Sequence, residues 1–120
     1  AIRQLIEGER NLQGFMNAYL SLDPYYLVAP EMEFSHGYCD FFLLPNYTVY
    51  PMVAHSYILE LKYLKADASD AEADSQWSEA LAQIKTYAAD KKLQSMLHDT
   101  LLHSIIVQIK GYDVVRMEDV

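Results

Sequence analysis

The stretch Tyr57-Ile58-Leu59-Glu60-Leu61-Lys62-Tyr63 decides the fold assignment, because it places two charged residues inside an otherwise apolar segment. Side chains alternate across a β-strand, so Glu60 and Lys62 share one face with Ile58. Burying a charged group costs several kcal/mol unless the group is paired or binds a metal. The two residues are therefore either a solvated ion pair on an edge strand or part of a functional site.

A second charged residue interrupts the apolar segment that comes earlier in the chain. Asp40 lies within Tyr38-Cys39-Asp40-Phe41-Phe42-Leu43-Leu44, where it shares a face with Phe42 and Leu44. Aspartate is depleted in strands. Asp40 is therefore the first residue of a strand after a turn, one half of a buried ion pair, or a functional carboxylate.

Hydrophobic periodicity predicts the element order α-β-β-β-α-β-β. The predicted elements are a helix at Ile2–Leu20, strands at Tyr25–Phe34, Tyr38–Leu44 and Val53–Tyr63, an acidic loop at Lys65–Asp74, a helix from Ser75 to roughly Lys92, and strands at Leu101–Ile109 and Asp113–Met117. Asp74 or Ser75 is the expected N-cap of the second helix. Because the central strands are apolar on both faces, we expect an α/β (α+β) fold with a mixed sheet and helices on both faces.

The helices carry polar residues at or beside their apolar stripes. Glu9 falls in the middle of the stripe of the first helix, so it either has a partner or lies on a rotated helix and reaches solvent. Gln83 and Tyr87 are four residues apart and project from neighbouring positions at the border of the second stripe. Alone, this pair is more typical of an ordinary amphipathic boundary than of a functional site.

Size and composition limit the classes of protein that the chain can represent. A chain of 120 residues with 52% hydrophobic residues corresponds to a single folded domain over 1–120. We expect it to be a fragment of a longer protein, because it begins with Ala1 inside a helical pattern. Its single cysteine excludes an internal disulfide and fits a reducing, cytoplasmic location.

Charge and hydropathy also bear on the partners. No apolar run reaches the roughly 18 residues of a membrane span. The net charge of −8 weighs against non-specific binding to nucleic acid, which depends on Lys and Arg. The apolar content and aromatic-rich strand edges allow a homodimer.

The charged positions together suggest a chemistry. Asp40 lies on one strand and Glu60 with Lys62 on the next, so neighbouring strands can direct all three to one point. Carboxylates are the ligands that Mg²⁺ or Mn²⁺ prefers. A lysine beside them can orient a water molecule or stabilise charge on a phosphoryl oxygen. The set suits hydrolysis of a phosphodiester by metal-activated water.

At these positions the sequence resembles the PD-(D/E)XK nuclease superfamily. Its signature is an acid on one strand and acid-x-Lys on the next within a restriction-endonuclease-like α-β-β-β-α-β core, matched here by Asp40 and Glu60-Leu61-Lys62. The pair Gln83 and Tyr87 is similar to the QxxxY element of one branch, and Glu9 fits the acid on the first helix of many members. Position 39 is Cys where the motif's name has Pro.

More closely, the chain resembles the PD-(D/E)XK domain at the C-terminus of bacterial AAA-ATPase-like proteins of the Bacteroidetes type. The resemblance covers nearly the whole chain. The segments that carry it are Gly8-Glu9-Arg10, Phe15–Leu20, Glu33–Pro45, Tyr57–Lys65, Ala82–Tyr87 and Ile106–Met117. It implies a divalent-metal nuclease acting on DNA rather than RNA, with an AAA-ATPase domain of the same protein as partner. The acidic charge also allows a nuclease-fold module with little catalysis that regulates or binds the ATPase.

The resemblance also implies a role for each candidate residue. Asp40 and Glu60 would hold Mg²⁺ or Mn²⁺ together with the backbone carbonyl of Leu61, while Glu9 would contact the metal or a water molecule. Lys62 would position the attacking water. Gln83 and Tyr87 would orient the site or the nucleic-acid backbone.

Overall fold

The computed structural model describes residues 26–34, 37–45 and 54–120. The elements in this part of the chain are β1 (Tyr26–Phe34), β2 (Gly37–Pro45), β3 (His55–Leu64), α1 (Asp70–Ala88), α2 (Lys91–Ser95), β4 (Leu101–Lys110) and β5 (Asp113–Asp119). The predicted helix at residues 2–20, and Glu9 with it, lies outside the described residues. The five predicted strands are confirmed, and their described ends lie within two residues of the predicted ones.

The described strands form one five-stranded sheet in the order β1-β2-β3-β4-β5. The β3–β4 pair is parallel, whereas the other three pairs are antiparallel. Parallel neighbours require a long crossover connection, and α1 with α2 supplies it here. The sheet is therefore mixed and accompanied by helices, which confirms the predicted fold class.

The helix boundaries differ from those predicted. α1 begins at Asp70 because Ser69 is its N-cap, with the Ser69 hydroxyl accepting a hydrogen bond from the Glu72 amide at 3.1 Å. The second half of the predicted acidic loop is thus helical, and the expected cap at residue 74 or 75 is wrong. α1 also ends early, at Ala88, because Asp90 caps the separate helix α2.

The two faces of the sheet carry separate apolar clusters. On the helix face, α1 and α2 pack on strand residues that include Phe42, Ile58 and Ile106. The opposite face buries a second cluster, which consists of Phe41, Leu59, Leu61, Val107 and Ile109. Helices were predicted on both faces; α1 and α2 cover one of them, and the other predicted helix, at residues 2–20, lies outside the described residues. Among the described residues, no helix is long and apolar enough to cross a membrane.

Candidate active site

The candidate site lies where β2 meets β3 on the helix face. The described ladder between these strands comprises three residue pairs, ending at Phe41 opposite Leu59. The next opposed positions in this register are Asp40 and Glu60. There a side chain bridges the strands in each direction: the Asp40 amide donates to Glu60 Oε1 at 3.2 Å, and the Leu61 amide donates to Asp40 Oδ2 at 2.8 Å. We call this junction the β2–β3 seam.

The β2–β3 seam gathers oxygen atoms. The N–H and C=O of one strand residue point toward the same neighbouring strand, so the Leu61 carbonyl lies on the edge of β3 that its amide shares with Asp40. Glu60 is only 2% exposed. Two carboxylates and one carbonyl are hard donors of the kind that Mg²⁺ and Mn²⁺ accept, with water completing the shell. The donor set therefore fits a divalent cation.

A cation site at this position relies on the backbone. Within residues 26–34, 37–45 and 54–120, no group of three or more His, Cys, Asp or Glu side chains is arranged to hold a metal ion. The described side chains contribute two carboxylates to this site, those of Asp40 and Glu60. The predicted further acid, Glu9, falls outside the described residues, so its role stays a prediction.

A residue of β1 opposite Asp40 has an unusual backbone conformation. In the β1–β2 register Glu31 lies opposite Asp40, between the pairs Pro30–Phe41 and Met32–Cys39. Its φ of 49° lies in the left-handed region, which is uncommon for residues other than glycine. Strained backbone of this kind is often found at functional sites. The sequence gives no signal for it.

A chain of polar contacts leads from Glu60 to helix α1. Lys62 Nζ lies 3.9 Å from Glu60 Oε2 and donates to Gln83 Oε1 at 3.2 Å. Gln83 Nε2 in turn donates to the Tyr87 hydroxyl at 3.0 Å. Tyr87 is 2% exposed within the core beneath α1. The structure therefore joins Lys62, Gln83 and Tyr87 in one network beside the β2–β3 seam.

The location of β3 decides between the two interpretations of its charged pair. β3 lies in the middle of the sheet, and the Glu60 side chain is buried. A solvated ion pair on an edge strand is therefore wrong. The alternation by two is confirmed, because Ile58 packs on the helices while Leu59 and Leu61 pack on the other face.

Sequence analysis missed a second polar cluster at the start of β3 and β4. His55 Nδ1 and His103 Nε2 are 2.8 Å apart, and His103 Nδ1 lies 2.7 Å from Asp119 Oδ2. The Tyr57 ring stacks on His103 at 4.9 Å between centroids. The two histidines are 48 residues apart, and only the pairing of β3 with β4 brings them together.

The chain matches a known family of proteins. A sequence model described as the PD-(D/E)XK nuclease superfamily matches residues 7–119. Searches of curated proteins and of solved structures returned no match. The mixed sheet with its helices is consistent with the restriction-endonuclease-like fold of that superfamily, whose members typically use divalent metal ions. The matched region includes every candidate site residue and nearly the whole chain, and the chain therefore belongs to the PD-(D/E)XK nuclease superfamily.

Proposed function

We propose that this protein hydrolyses phosphodiester bonds of nucleic acid, DNA rather than RNA, with the help of Mg²⁺ or Mn²⁺. The observation that carries the proposal is the β2–β3 seam, where Asp40 and the Glu60–Leu61 segment meet through hydrogen bonds of 3.2 and 2.8 Å. Membership of a nuclease superfamily supports the same reaction class.

The proposed cation donors are the carboxylates of Asp40 and Glu60 and the carbonyl of Leu61. A bound divalent cation supplies Lewis acidity, which acidifies water and stabilises charge on the phosphoryl group. The protein fixes its donors in advance: the Leu61 amide holds Asp40 Oδ2, and the Asp40 amide holds Glu60 Oε1. Binding therefore orders few side chains.

Lys62 is proposed to position the attacking water and to stabilise negative charge on a phosphoryl oxygen. Its ammonium group has three N–H donors. One of them is directed to Gln83 Oε1, and the group also lies 3.9 Å from Glu60 Oε2. The side chain is 24% exposed, so water and substrate can reach it. Tyr87 and Gln83 act on the reaction through Lys62, as positioning residues.

The charge of the chain supports a proposal about the partner. A net charge of −8 gives little general attraction to a polyanion. We therefore place the affinity for nucleic acid in an attached AAA-ATPase domain and the chemistry in this domain. The same charge favours a second candidate function, in which the domain regulates or binds the ATPase with little catalysis.

The test is cleavage of end-labelled single-stranded DNA, double-stranded DNA and RNA in Mn²⁺ or Mg²⁺. We compare the parent protein with Lys62→Ala and with Lys85→Ala, a lysine that is exposed near the end of α1. Positioned acid–base groups contribute about 10²- to 10⁴-fold. We expect a loss of that size for Lys62→Ala and none for Lys85→Ala, whereas equal cleavage by all three proteins would reject the proposed site.

A calorimetric titration with Mn²⁺ separates the two candidate functions. The nuclease requires a heat signal that disappears in Glu60→Gln. A protein that neither cleaves any of the substrates nor binds Mn²⁺ through Glu60 would support the regulatory module.

A further inference from the structure

β5 forms one edge of the described sheet and is unusually exposed for a strand. All seven of its residues are exposed, including Val114 at 61%, Val115 at 50% and Met117 at 65%. Within the described sheet it pairs with β4 alone. The unpaired backbone groups of an exposed edge strand can pair with another strand.

The direction of the β5 backbone groups can be deduced from one hydrogen bond. The Val120 amide donates to the Ser104 carbonyl of β4 at 2.8 Å. Backbone groups alternate between the two edges of a strand, so the N–H and C=O of Asp119 and Met117 point away from β4. They form a row of donors and acceptors that faces outward.

We propose that β5 is a self-association surface, on which a second copy of this chain pairs antiparallel about a two-fold axis at Met117. At such an axis the outward Met117 N–H of each copy donates a hydrogen bond to the Met117 C=O of the other. The described strands of the two copies then form one continuous sheet. Strand addition at an exposed edge is an established mode of recognition in which main-chain hydrogen bonds supply the affinity.

The charges on β5 favour this register over the one next to it. An axis at Met117 places Arg116 of each copy opposite Glu118 of the other, within the part of β5 that pairs regularly with β4, Arg116–Asp119. Moving the axis by one residue, to Arg116, would place Arg116 opposite Arg116 and Asp113 opposite Asp119. Opposite charges stabilise directly opposed positions and like charges destabilise them.

The charge complementarity favours a second copy over an unrelated strand. Arg116 Nη2 lies 3.2 Å from Glu118 Oε2 within the chain, and the Arg116 guanidinium lies 4.0 Å from the centre of the Trp77 ring. Arg116 is thus held on the helix face beside Glu118, and in the proposed register each copy offers the partner the same complementary pair. The two-fold satisfies both pairs at once.

The proposed pairing also fixes the relation between the two candidate sites. A two-fold axis through paired edge strands runs perpendicular to the sheet, so both helix faces lie on the same side. Each β2–β3 seam lies about three strand spacings from the axis, and with about 4.8 Å per spacing the two seams are roughly 30 Å apart. Both sites would then face one extended substrate.

The first measurement is the mass in solution by size-exclusion chromatography with light scattering over a concentration series. We expect a species of twice 13.8 kDa for the parent protein. Glu118→Arg should dissociate it, because arginines would then face each other, and Arg116→Glu with Glu118→Arg should restore it. A parent protein that stays monomeric up to about 1 mM, a concentration that detects even weak association, would overturn the proposal.

Disulfide trapping tests the register itself. Directly opposed residues in a hydrogen-bonded antiparallel pair have Cα atoms about 5.5 Å apart, which suits a disulfide. Met117→Cys should therefore give a covalent dimer under mild oxidation. Val114→Cys, at a position 61% exposed on the same strand, lies beyond the irregularity next to Arg116 and away from the axis, so it is the matched control and should not. Equal trapping in both variants, or a dimer unaffected by Glu118→Arg, would place the interface elsewhere and overturn the proposal.

Discussion

The Asp40 carboxylate accepts a hydrogen bond from the Leu61 amide at 2.8 Å. A side chain of β2 is thus fixed by the very residue of β3 whose carbonyl we propose as a cation donor. The Asp40 amide completes the exchange by donating to Glu60 Oε1 at 3.2 Å. Groups that are held in position before binding lose little conformational freedom when the ligand arrives. The β2–β3 seam is therefore a preorganised site.

Replacing Asp40 with Asn separates the structural role of this side chain from its role as a cation donor. The Asn carbonyl can still accept from the Leu61 amide, so the free energy of unfolding in EDTA should change by no more than about 1 kcal/mol. A cation that binds only the folded protein raises its melting temperature. We expect Mn²⁺ to stabilise the parent protein and to stabilise Asp40→Asn much less.

Thermal unfolding with Mn²⁺ or EDTA measures this difference. Asp67→Asn, which changes an exposed carboxylate after β3, is the control and should respond to Mn²⁺ like the parent protein. An equal response in all three proteins would mean that the cation binds away from Asp40.

Tyr87→Phe removes the hydroxyl that accepts from Gln83 Nε2 and leaves the buried ring in place. A lost hydrogen bond costs about 0.5–1.5 kcal/mol. If Lys62 is positioned less well and the activation free energy rises by the same amount, cleavage slows roughly 2- to 10-fold. We expect this smaller loss in the rate of cleavage per folded molecule.

A double-mutant cycle with Gln83→Met checks the route of this effect. Contacting residues in one network show non-additive changes. If the effects of Tyr87→Phe and Gln83→Met simply add, Tyr87 does not act through Gln83.

Asp90→Ala should destabilise the fold without affecting the chemistry. The Asp90 side chain is the N-cap of α2 and accepts from the Lys92 amide at 2.8 Å and the Leu93 amide at 3.3 Å. Loss of such a cap costs about 1–2 kcal/mol. Urea unfolding should show this loss, while cleavage per folded molecule stays constant. The exposed Glu79→Ala is the control, and an equal loss there would argue against capping.

Glu31→Gly should stabilise the chain if the φ of 49° is a strained conformation. A left-handed backbone costs a residue with a Cβ roughly 1–2 kcal/mol, whereas glycine adopts it freely at some cost in unfolded-state entropy. We expect a net gain of about 0.5–1 kcal/mol by denaturant unfolding. Glu31→Ala keeps the Cβ and should show no gain, and a destabilised glycine variant would contradict the strain.

Those parts of the site that depend on the repeat of a single strand or helix were predictable from the sequence. Alternation by two correctly placed Glu60 and Lys62 on the face of Ile58, and a spacing of four correctly made Gln83 and Tyr87 neighbours. Each of these relations depends on local backbone geometry alone. The same local logic could have found the start of α1, because Ser69 followed three residues later by Glu72 is the pattern of a capping box.

The remaining features depend on contacts that are distant in the sequence. His55 meets His103 through a strand register set by the whole β3–β4 crossover. The left-handed backbone at Glu31 falls on a residue type that has no preference for it, so no residue preference could reveal it. Tertiary structure thus decides the histidine contact, and no contact described here accounts for the backbone at Glu31.

The short described ladder at the β2–β3 seam also has a consequence for motion. Among residues 26–34, 37–45 and 54–120, eight paired positions join β1 to β2, whereas three join that hairpin to β3. Regions with few paired positions open locally at a lower free energy than the rest of a domain. Amide hydrogens at this junction should therefore exchange before those of β3 with β4, and a cation held across it should slow that exchange. Cation binding would then lower the population of molecules in which the hairpin is open, and opening of the hairpin would weaken cation binding.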